Sequence, residues 1–449
     1  WACASDEDKK KIEKAQRDAV FAALNYAQEN GFLTTRRGKG GAIHERPAEI
    51  QAASFQHTTS RAGDPQLHTH AVVTNVCRRE DGTYGTIDNE KLLKHQQEMG
   101  AVYRLKLAEA LKNDLNLSVT KDDRNFKIDG VSDKICDNFS KRNNDITAFA
   151  SKLGIDKSTS RKSAELIGLE TRNKKSEMPE RDELRERWSA ELKNLGWSKE
   201  DIFDIAVAYK RDEKEEEYKS PALAALAKLS LTESAIEDRK LKGETLEEWQ
   251  GKGSLEDALA DIQSLIDAEI LVEVGHNENG AVYATQEMIE REKRLLRNSI
   301  ERKDERDFVS QDAVEASIMK RETMSEEQAE AVRHALNRDG VSVLEGSAGT
   351  GKSYSLGAVA DAARETGLRV HVIAPSHKAK DVLRADTASK EDDAKTVMGF
   401  IKRKTKERQK ELIELKENDS INVDEAGMCG TSEIDAILEA GRNAKSKVI

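Results

Sequence analysis

Gln56-His57-Thr58-Thr59-Ser60-Arg61-Ala62-Gly63-Asp64-Pro65-Gln66-Leu67-His68-Thr69-His70 places three of the chain's nine histidines on one short stretch. The flanks, Ala53-Ser54-Phe55 and Ala71-Val72-Val73-Thr74-Asn75-Val76, read as strand, and Arg61 to Gln66 holds the Gly, Asp and Pro of a turn. The stretch predicts a β-hairpin. His68 and His70 are two residues apart, so on a strand they share a face. A turn centred near Gly63 puts His57 opposite His70, and cross-strand partners also share a face. All three imidazoles then converge. Neutral imidazole is the commonest protein metal ligand, and three such ligands leave positions open, as a catalytic rather than a structural metal requires. His68-x-His70 alone reads as surface histidines on an ordinary hairpin. His57 at the cross-strand position favours a divalent metal site, with Mg, Mn and Zn all open as the ion.

A second chemical centre is Gly346-Ser347-Ala348-Gly349-Thr350-Gly351-Lys352-Ser353, which fits G-x4-G-K-[ST] in full. Val341 to Leu344 reads as a buried strand before it and Tyr354 to Glu365 as a helix after it, the context that a P-loop requires. Glycines let backbone N–H groups close around phosphate oxygens at a helix N-terminus. Lys352 would reach the β- and γ-phosphates of ATP, and the Ser353 hydroxyl would bind Mg²⁺. Strands are expected at Leu368–Ala374 and Ser420–Val423. The latter ends in Asp424-Glu425-Ala426-Gly427-Met428, the carboxylate pair of a Walker B arrangement. Asp424 would hold the Mg²⁺ shell, and Glu425 would orient and deprotonate the attacking water. An acidic turn after a strand is the plainer reading, and the P-loop upstream weighs against it.

Around these centres the chain reads as α/β and α+β and multidomain, its 449 residues being enough for two or three domains. A net charge of −11 does not exclude nucleic acid, because patches matter more than sums. Cys3, Cys77, Cys136 and Cys429 have neither paired nor metal-type spacing and suit free thiols in a reducing cytoplasm. No apolar run is long enough for a membrane span. Lys9 to Asn30 has helical periodicity. Phe32 to Ile43 alternates as a hairpin around Arg36-Arg37-Gly38-Lys39-Gly40-Gly41, a basic turn suited either to phosphate contacts or simply to solvent. A long helix is expected over Asn89–Asn113, two short strands over Leu115–Asp129, helices over Asp133–Arg172 and a helical pair over Pro179–Tyr209 with Trp188 and Trp197 as core. Lys157 to Lys175 holds six Lys or Arg against two Glu, a stripe that could track a DNA backbone or face solvent. Lys210 to Ser220 is almost all charged and reads as a linker. A helix over Leu255–Ile270 followed by a strand, turn and strand to Thr285 is a winged-helix pattern. Glu290 to Arg306 reads as a charged connecting helix.

His-x10-His-x-His, inside HTTSRAGDPQLHTHAVVTN, resembles the metal motif of the MobF (TraI/TrwC-type) conjugative relaxases. The basic hairpin at Arg36, Arg37 and Lys39 resembles an RRG-rich hairpin that precedes the metal motif in that family, which raises its DNA reading, and SAELIGLETRNKK, with Thr171, Arg172 and Lys175, resembles the family's segment ending in T-R-x-x-K. The C-terminal stretch resembles superfamily 1B DNA helicases: Met324-Ser325-Glu326-Glu327-Gln328 as the Q-type motif, implying that Gln328 contacts adenine, APSHKA at 374–379, KTVMGF at 395–400, and DEAGM. The resemblance implies an HUH-type relaxase palm over 1–209, a helical connector with a winged-helix-like region over 210–318, and the first part of a RecA-like helicase domain over 319–449. It implies a histidine triad holding a divalent metal on the scissile phosphate of single-stranded DNA at a transfer origin, and an ATP-driven motor. A coupling protein and relaxosome accessory proteins would be partners.

The family's nucleophilic tyrosine is carried onto neither Tyr26, in a helix, nor Tyr84, after the triad. With Trp1 in place of an initiating Met and Lys447-Val448-Ile449 inside a strand, the chain reads as an internal fragment expected neither to nick nor to unwind DNA by itself. Two other readings stay open. One is a metal-dependent nuclease fused to an ATPase. The other is a non-enzymatic DNA-binding module with a degenerate triad.

Overall fold

The computed structural model describes residues 1–152, 181–209, 220–347, 349–387, 394–401 and 415–449. The expected basic stripe with Arg172 and Lys175, most of the charged linker at 210–219, and Ala348 lie outside the described residues. The chain divides into two compact units, Trp1–Tyr283 and Ala284–Ile449.

The first unit is built on two helices and an antiparallel sheet. Helix α1 (Asp6–Glu29) starts at Ser5, whose hydroxyl accepts the Asp8 N–H at 3.1 Å. Buried Ile12, Ala15, Ala19, Ala23 and Ala27 repeat at three and four residues along it. These small side chains let it lie along the helix Gln96–Leu115, whose Ala101, Val102, Leu105 and Ala108 are fully buried. Strands β1 (Thr34–Arg37), β2 (Ile43–Glu45), β3 (Glu49–Thr59), β4 (Pro65–Arg78) and β5 (Tyr84–Asp88) form a five-stranded sheet in the order β2-β1-β5-β4-β3. Gln56 ties one face to α1, its Nε2 donating to Glu13 O and to Gln16 Oε1, each at 3.0 Å. Thr69, opposite Gln56, donates its hydroxyl to the same Gln16 oxygen at 2.5 Å. The other face of this hairpin carries the histidines and the exposed Phe55 and Val72.

The single helix expected over Asn89–Asn113 is two, α2 (Glu90–Lys94) and α3 (Gln96–Leu115). His95 between them leaves helical geometry (φ −98°, ψ 10°). Its ring is buried, stacked 3.8 Å from the Phe32 ring, with Nδ1 2.7 Å from Glu98. Strands β6 (Val119–Asp122) and β7 (Asn125–Ile128) pair as a hairpin, and α4 (Asp133–Asn138) and α5 (Lys141–Lys152) follow. In the next pair, α6 (Arg181–Asn194) and α7 (Lys199–Ala208), Trp188 is buried as expected and Trp197 packs beside Ile135, Leu192 and Ile202.

The rest of the unit runs α8 (Pro221–Leu229), β8 (Ile236–Glu237), α9 (Asp238–Glu248), α10 (Leu255–Asp267), β9 (Leu271–Asn277) and β10 (Gly280–Thr285), with sheet order β8-β10-β9. It is no loose tether. Leu246 and Ala258 share one core with Ala23, Tyr26, Ala27, Phe32, Ala101, Val102 and Leu105. Arg104 meets Glu247 at 2.9 Å across the same contact.

The second unit contains α11 (Gln286–Glu301), α12 (Gln311–Met319), α13 (Glu326–Ala335), α14 (Lys352–Glu365), β11 (Arg369–Ala374), α15 (His377–Asp386), β12 (Ala394–Thr396), α16 (Val397–Ile401), β13 (Asp419–Val423), α17 (Thr431–Ala444) and β14 (Lys447–Val448). Its strands are parallel, ordered β12-β11-β13-β14. Val370, Val372, Ile373 and Ile421 are buried, as strands covered on both faces require. The strand expected over Val341–Leu344 is reduced to one parallel bridge, Val341 with Val448. Its bonds run from Ser342 N to Val448 O and from Val448 N to Gly340 O, each 2.9 Å. Its neighbour β14 is only two residues long, and Val343 is 77% exposed, so the buried strand is not realised.

Candidate functional sites

The histidine hairpin closes through a five-residue turn. Ser60 N donates to Asp64 O at 2.9 Å, the Ser60 hydroxyl accepts from the N–H groups of Ala62 and Asp64, and Gly63 takes φ +77°. The register is shifted by two residues from the expected one: His57 faces His68, and Phe55 faces His70. The turn closes around Ala62 rather than Gly63, and an irregularity between His57 and Thr59 shifts the pairing by one residue. Because the pairing moved by two residues in total, every histidine stays on its intended face. The ring centroids lie 5.4 Å (His57–His68), 4.9 Å (His57–His70) and 5.1 Å (His68–His70) apart.

One nitrogen from each ring lies within 4.8 Å of the others, a group that could hold a metal ion. Nitrogens bound to one ion at about 2.1 Å cannot be more than about 4.2 Å apart. A pair near that 4.8 Å limit would have to draw closer by about half an ångström or more, through rotation of the rings. His68 is already oriented, because its Nδ1 lies 3.0 Å from the Gln66 carbonyl. A carbonyl only accepts, so a neutral His68 carries its proton on Nδ1 and turns the Nε2 lone pair outward. The donor set, neutral nitrogen with open positions beside it, fits a divalent transition metal or zinc.

Supports of this hairpin had no sequence signal. The Gly63 carbonyl accepts from Trp188 Nε1 at 2.8 Å. Asp64 is buried and pairs with the Lys141 ammonium at 3.0 Å, and also accepts the Lys141 backbone N–H at 3.0 Å. Both partners come from helices far along the chain, which no local pattern marks. Only Trp188, expected as core, was singled out at all.

The basic turn is less free than its composition implies. Arg36 pairs with Asp88 at 2.7 Å, and Arg37 pairs with Asp81 and meets Thr83 at 3.0 Å. The Arg37 hydrogen bond holds the Asp81 carboxyl well below the usual range, and Arg36 does the same to Asp88. Lys39 is exposed and has no ion-pair partner among the described residues.

In the second unit the P-loop runs directly into α14, and Gly349 and Gly351 both sit at φ +82°, where only glycine is unstrained. The Lys352 ammonium lies inside the loop, on the carbonyls of Gly346 and Ser347 (3.2 Å to the latter). Ser353 is the second residue of α14. Asp424 and Glu425 follow β13 directly. In a parallel sheet that places them at the same carboxyl edge as the residues after β11. Glu425 adopts φ +50°, and its N–H donates to Asp424 Oδ1 at 2.9 Å. A left-handed glutamate is a strained arrangement of the kind that gathers at working sites. Gln328 reaches the loop, its Nε2 donating to Thr350 O at 2.9 Å.

A histidine-bearing antiparallel sheet and a P-loop parallel sheet define the class: a relaxase-type domain in one chain with an AAA ATPase-type domain. Residues 1–195 match the TrwC relaxase family and residues 323–449 match an AAA domain. A stretch of 155 residues is 30% identical to the multifunctional conjugation protein TraI of Escherichia coli (strain K12), covering 32% of this chain and 8% of TraI. A metal-bound structure of the conjugative relaxase TrwC in complex with oriT DNA is 30% identical, covering 42% of this chain and 66% of TrwC, with TM-score 0.39. A metal-free TrwC–oriT DNA structure is 31% identical, covering 42% of this chain and 67% of TrwC, with TM-score 0.39. The TrwC relaxase match thus lies in the first 195 residues and the AAA match in the last 127, and the chain spans 8% of the length of TraI. Among the described residues no helix is long and apolar enough to cross a membrane.

Proposed function

We propose that the chain is the metal-site and first motor part of a conjugative relaxase-helicase, which nicks single-stranded DNA at a transfer origin and moves along it with ATP. The observation that carries this reading is the convergence of His57, His68 and His70 on the open face of one hairpin. A bound divalent ion there would supply Lewis-acid neutralisation of the scissile phosphate. The chain's own residues do the positioning. Gln66 fixes the His68 ring, and Trp188, Asp64 and Lys141 fix the turn. In the relaxase reaction a tyrosine hydroxyl displaces the DNA 3′-hydroxyl and keeps the 5′-phosphate, and no position of this chain is assigned as that tyrosine. Exposed Lys39, with Arg36 and Arg37, and Arg172 and Lys175 would follow the DNA backbone.

In the motor, the loop from Gly346 to Ser353 holds the phosphates of ATP, Ser353 and Asp424 face Mg²⁺, Glu425 directs the water, and Gln328 borders the nucleotide site. The three-part division into a relaxase over 1–209, a connector over 210–318 and a motor over 319–449 belongs to this proposal, as do a cytoplasmic location and a coupling protein and relaxosome accessory proteins as partners. Residues 221–285 have the element order and three-stranded sheet of a winged helix, which supports that part of the reading.

Elemental analysis of the purified chain, paired with titration of a labelled single-stranded origin oligonucleotide, tests the first half. One divalent ion per chain and DNA binding weakened by chelation are expected. A metal-free chain whose DNA affinity ignores added Mn²⁺ and Zn²⁺ would sink it.

A further inference from the structure

We infer that a cleft in the first unit, about 360 Å³ in volume, is a binding site for a phosphate that still carries a hydroxyl, either inorganic phosphate or a terminal phosphate monoester. Its walls are residues 30–32 after α1, Lys91 in α2 with His95 just beyond it, Asp238 and Lys242 at the start of α9, and residues 277–280 between β9 and β10.

His95 is the side chain on which the inference stands. It is only 6% exposed and is held from two directions. The Phe32 ring stacks on it with centroids 3.8 Å apart, and Nδ1 lies 2.7 Å from Glu98 Oε2. Glu98 is buried as well, and its Oε1 accepts the Tyr26 hydroxyl at 2.6 Å. Burial, and then the Glu98 carboxylate, push the Tyr26 pKa up, so this hydroxyl stays a donor. A carboxylate only accepts, so the His95 proton sits on Nδ1. Nε2 is left as a lone pair at the cleft, with no hydrogen-bond partner among the described residues.

The charges narrow the ligand further. Asp238 is paired with Lys242 at 2.7 Å, and Glu278 with Lys94 at 2.8 Å. Lys91 is exposed and has no ion-pair partner among the described residues. It precedes His95 by one helical turn, the His95 N–H donating to the Lys91 carbonyl at 3.0 Å, so the two side chains are neighbours. The cleft therefore offers an unspent positive charge beside a lone pair. The matching ligand is an anion that also brings a hydrogen. Hydrogen phosphate does both from one centre, an anionic oxygen meeting Lys91 while the P–OH donates to His95 Nε2. Sulfate, a carboxylate and a phosphodiester carry charge but no hydrogen at neutral pH, and each would set an oxygen lone pair against that of Nε2. The DNA backbone is thus the wrong chemistry for this cleft. The run Tyr26–Glu98–His95 strengthens the contact, because each donor in it polarises the next.

The test is calorimetric titration of the full chain at neutral pH, carrying Lys352→Ala and with EDTA present, so that neither the phosphate loop nor a bound metal contributes. Inorganic phosphate, methyl phosphate and sulfate are the probes, and Lys91→Gln and His95→Phe are compared in the same background. The expected result is phosphate binding at one site, weakened about tenfold or more in each variant, with sulfate at least about tenfold weaker than phosphate. Methyl phosphate binding as well as inorganic phosphate assigns the site to a terminal monoester, and its failure assigns the site to free phosphate. Binding that is absent, that a folded variant leaves unchanged, or that sulfate matches overturns the proposal. Lys91 lies on the surface, so Lys91→Gln decides the matter by itself should His95→Phe not fold.

Discussion

His68 is the member of the triad that the fold has already committed, because the Gln66 carbonyl fixes which of its nitrogens is free. In the proposed metal site it is the ligand that would need least reorganisation. A His68→Ala chain should retain less than a tenth of the metal of the wild type after gel filtration at micromolar concentration, read by elemental analysis, with its circular dichroism unchanged. Trp188 makes the complementary case of a residue that touches no metal. Trp188→Phe keeps a ring in the core and deletes the bond to Gly63 O, leaving a carbonyl under-satisfied at the turn. We expect a loss of about 1–2 kcal/mol in urea unfolding. Metal affinity should weaken too, since the turn sets the strand register. A variant with unchanged unfolding would show that the turn does not depend on that bond.

Among the elements, the β3–β4 hairpin was legible because its signal is local: alternation, a turn with Gly and Asp, and histidines at even spacing. The register was not, because it depends on how Ser60 and Asp64 close the turn and on the offset after His57, neither of which composition encodes. The three rings still converge because a shift by two residues preserves the face. Gly63→Ala tests the turn directly. Its φ of +77° makes any β-carbon strained, at about 1–2 kcal/mol, even though the nearest neighbour, Arg187, leaves room. The P-loop and the Asp424-Glu425 pair were legible as motifs, whereas the break at His95 arose from a buried contact with Glu98, 2.7 Å away, that no helical pattern announces.

Strand β14 offers a pH experiment. Lys447 is fully buried, its ammonium among Asn337 O (3.0 Å), Ser342 Oγ (2.8 Å) and the Asp339 carbonyl. Burial pushes it down from 10.5 to about 7. Between those values the unfolded chain holds a proton that the folded one has shed, so stability rises with pH through this window and is lost as pH falls towards 7. The surrounding oxygens offset part of the burial cost, so a gain on the order of 1–3 kcal/mol from pH 7 to pH 10 is expected in urea unfolding. Lys447→Met should flatten the slope.

At the scale of the whole molecule, the proposed metal site and the proposed nucleotide site fall in different units. Ligands stabilise only what they bind, by about 2.7 kcal/mol at a hundredfold excess over Kd. Adding Mn²⁺ or Zn²⁺ should therefore raise the melting transition of the first unit, adding Mg·ATP that of the second, and chelation should reverse only the first metal effect. A single transition moved equally by every ligand would contradict independent units.

The shared core of α1, α3, α9 and α10 bears on how this molecule is to be divided at the bench. A piece trimmed at residue 209 would be stripped of Leu246 and Ala258 and left with an oily scar over Ala101 and Leu105. Such a piece invites clumping, and a cleaner cut falls beyond Tyr283. What looks on paper like a spacer is, in three dimensions, part of the first unit's own interior.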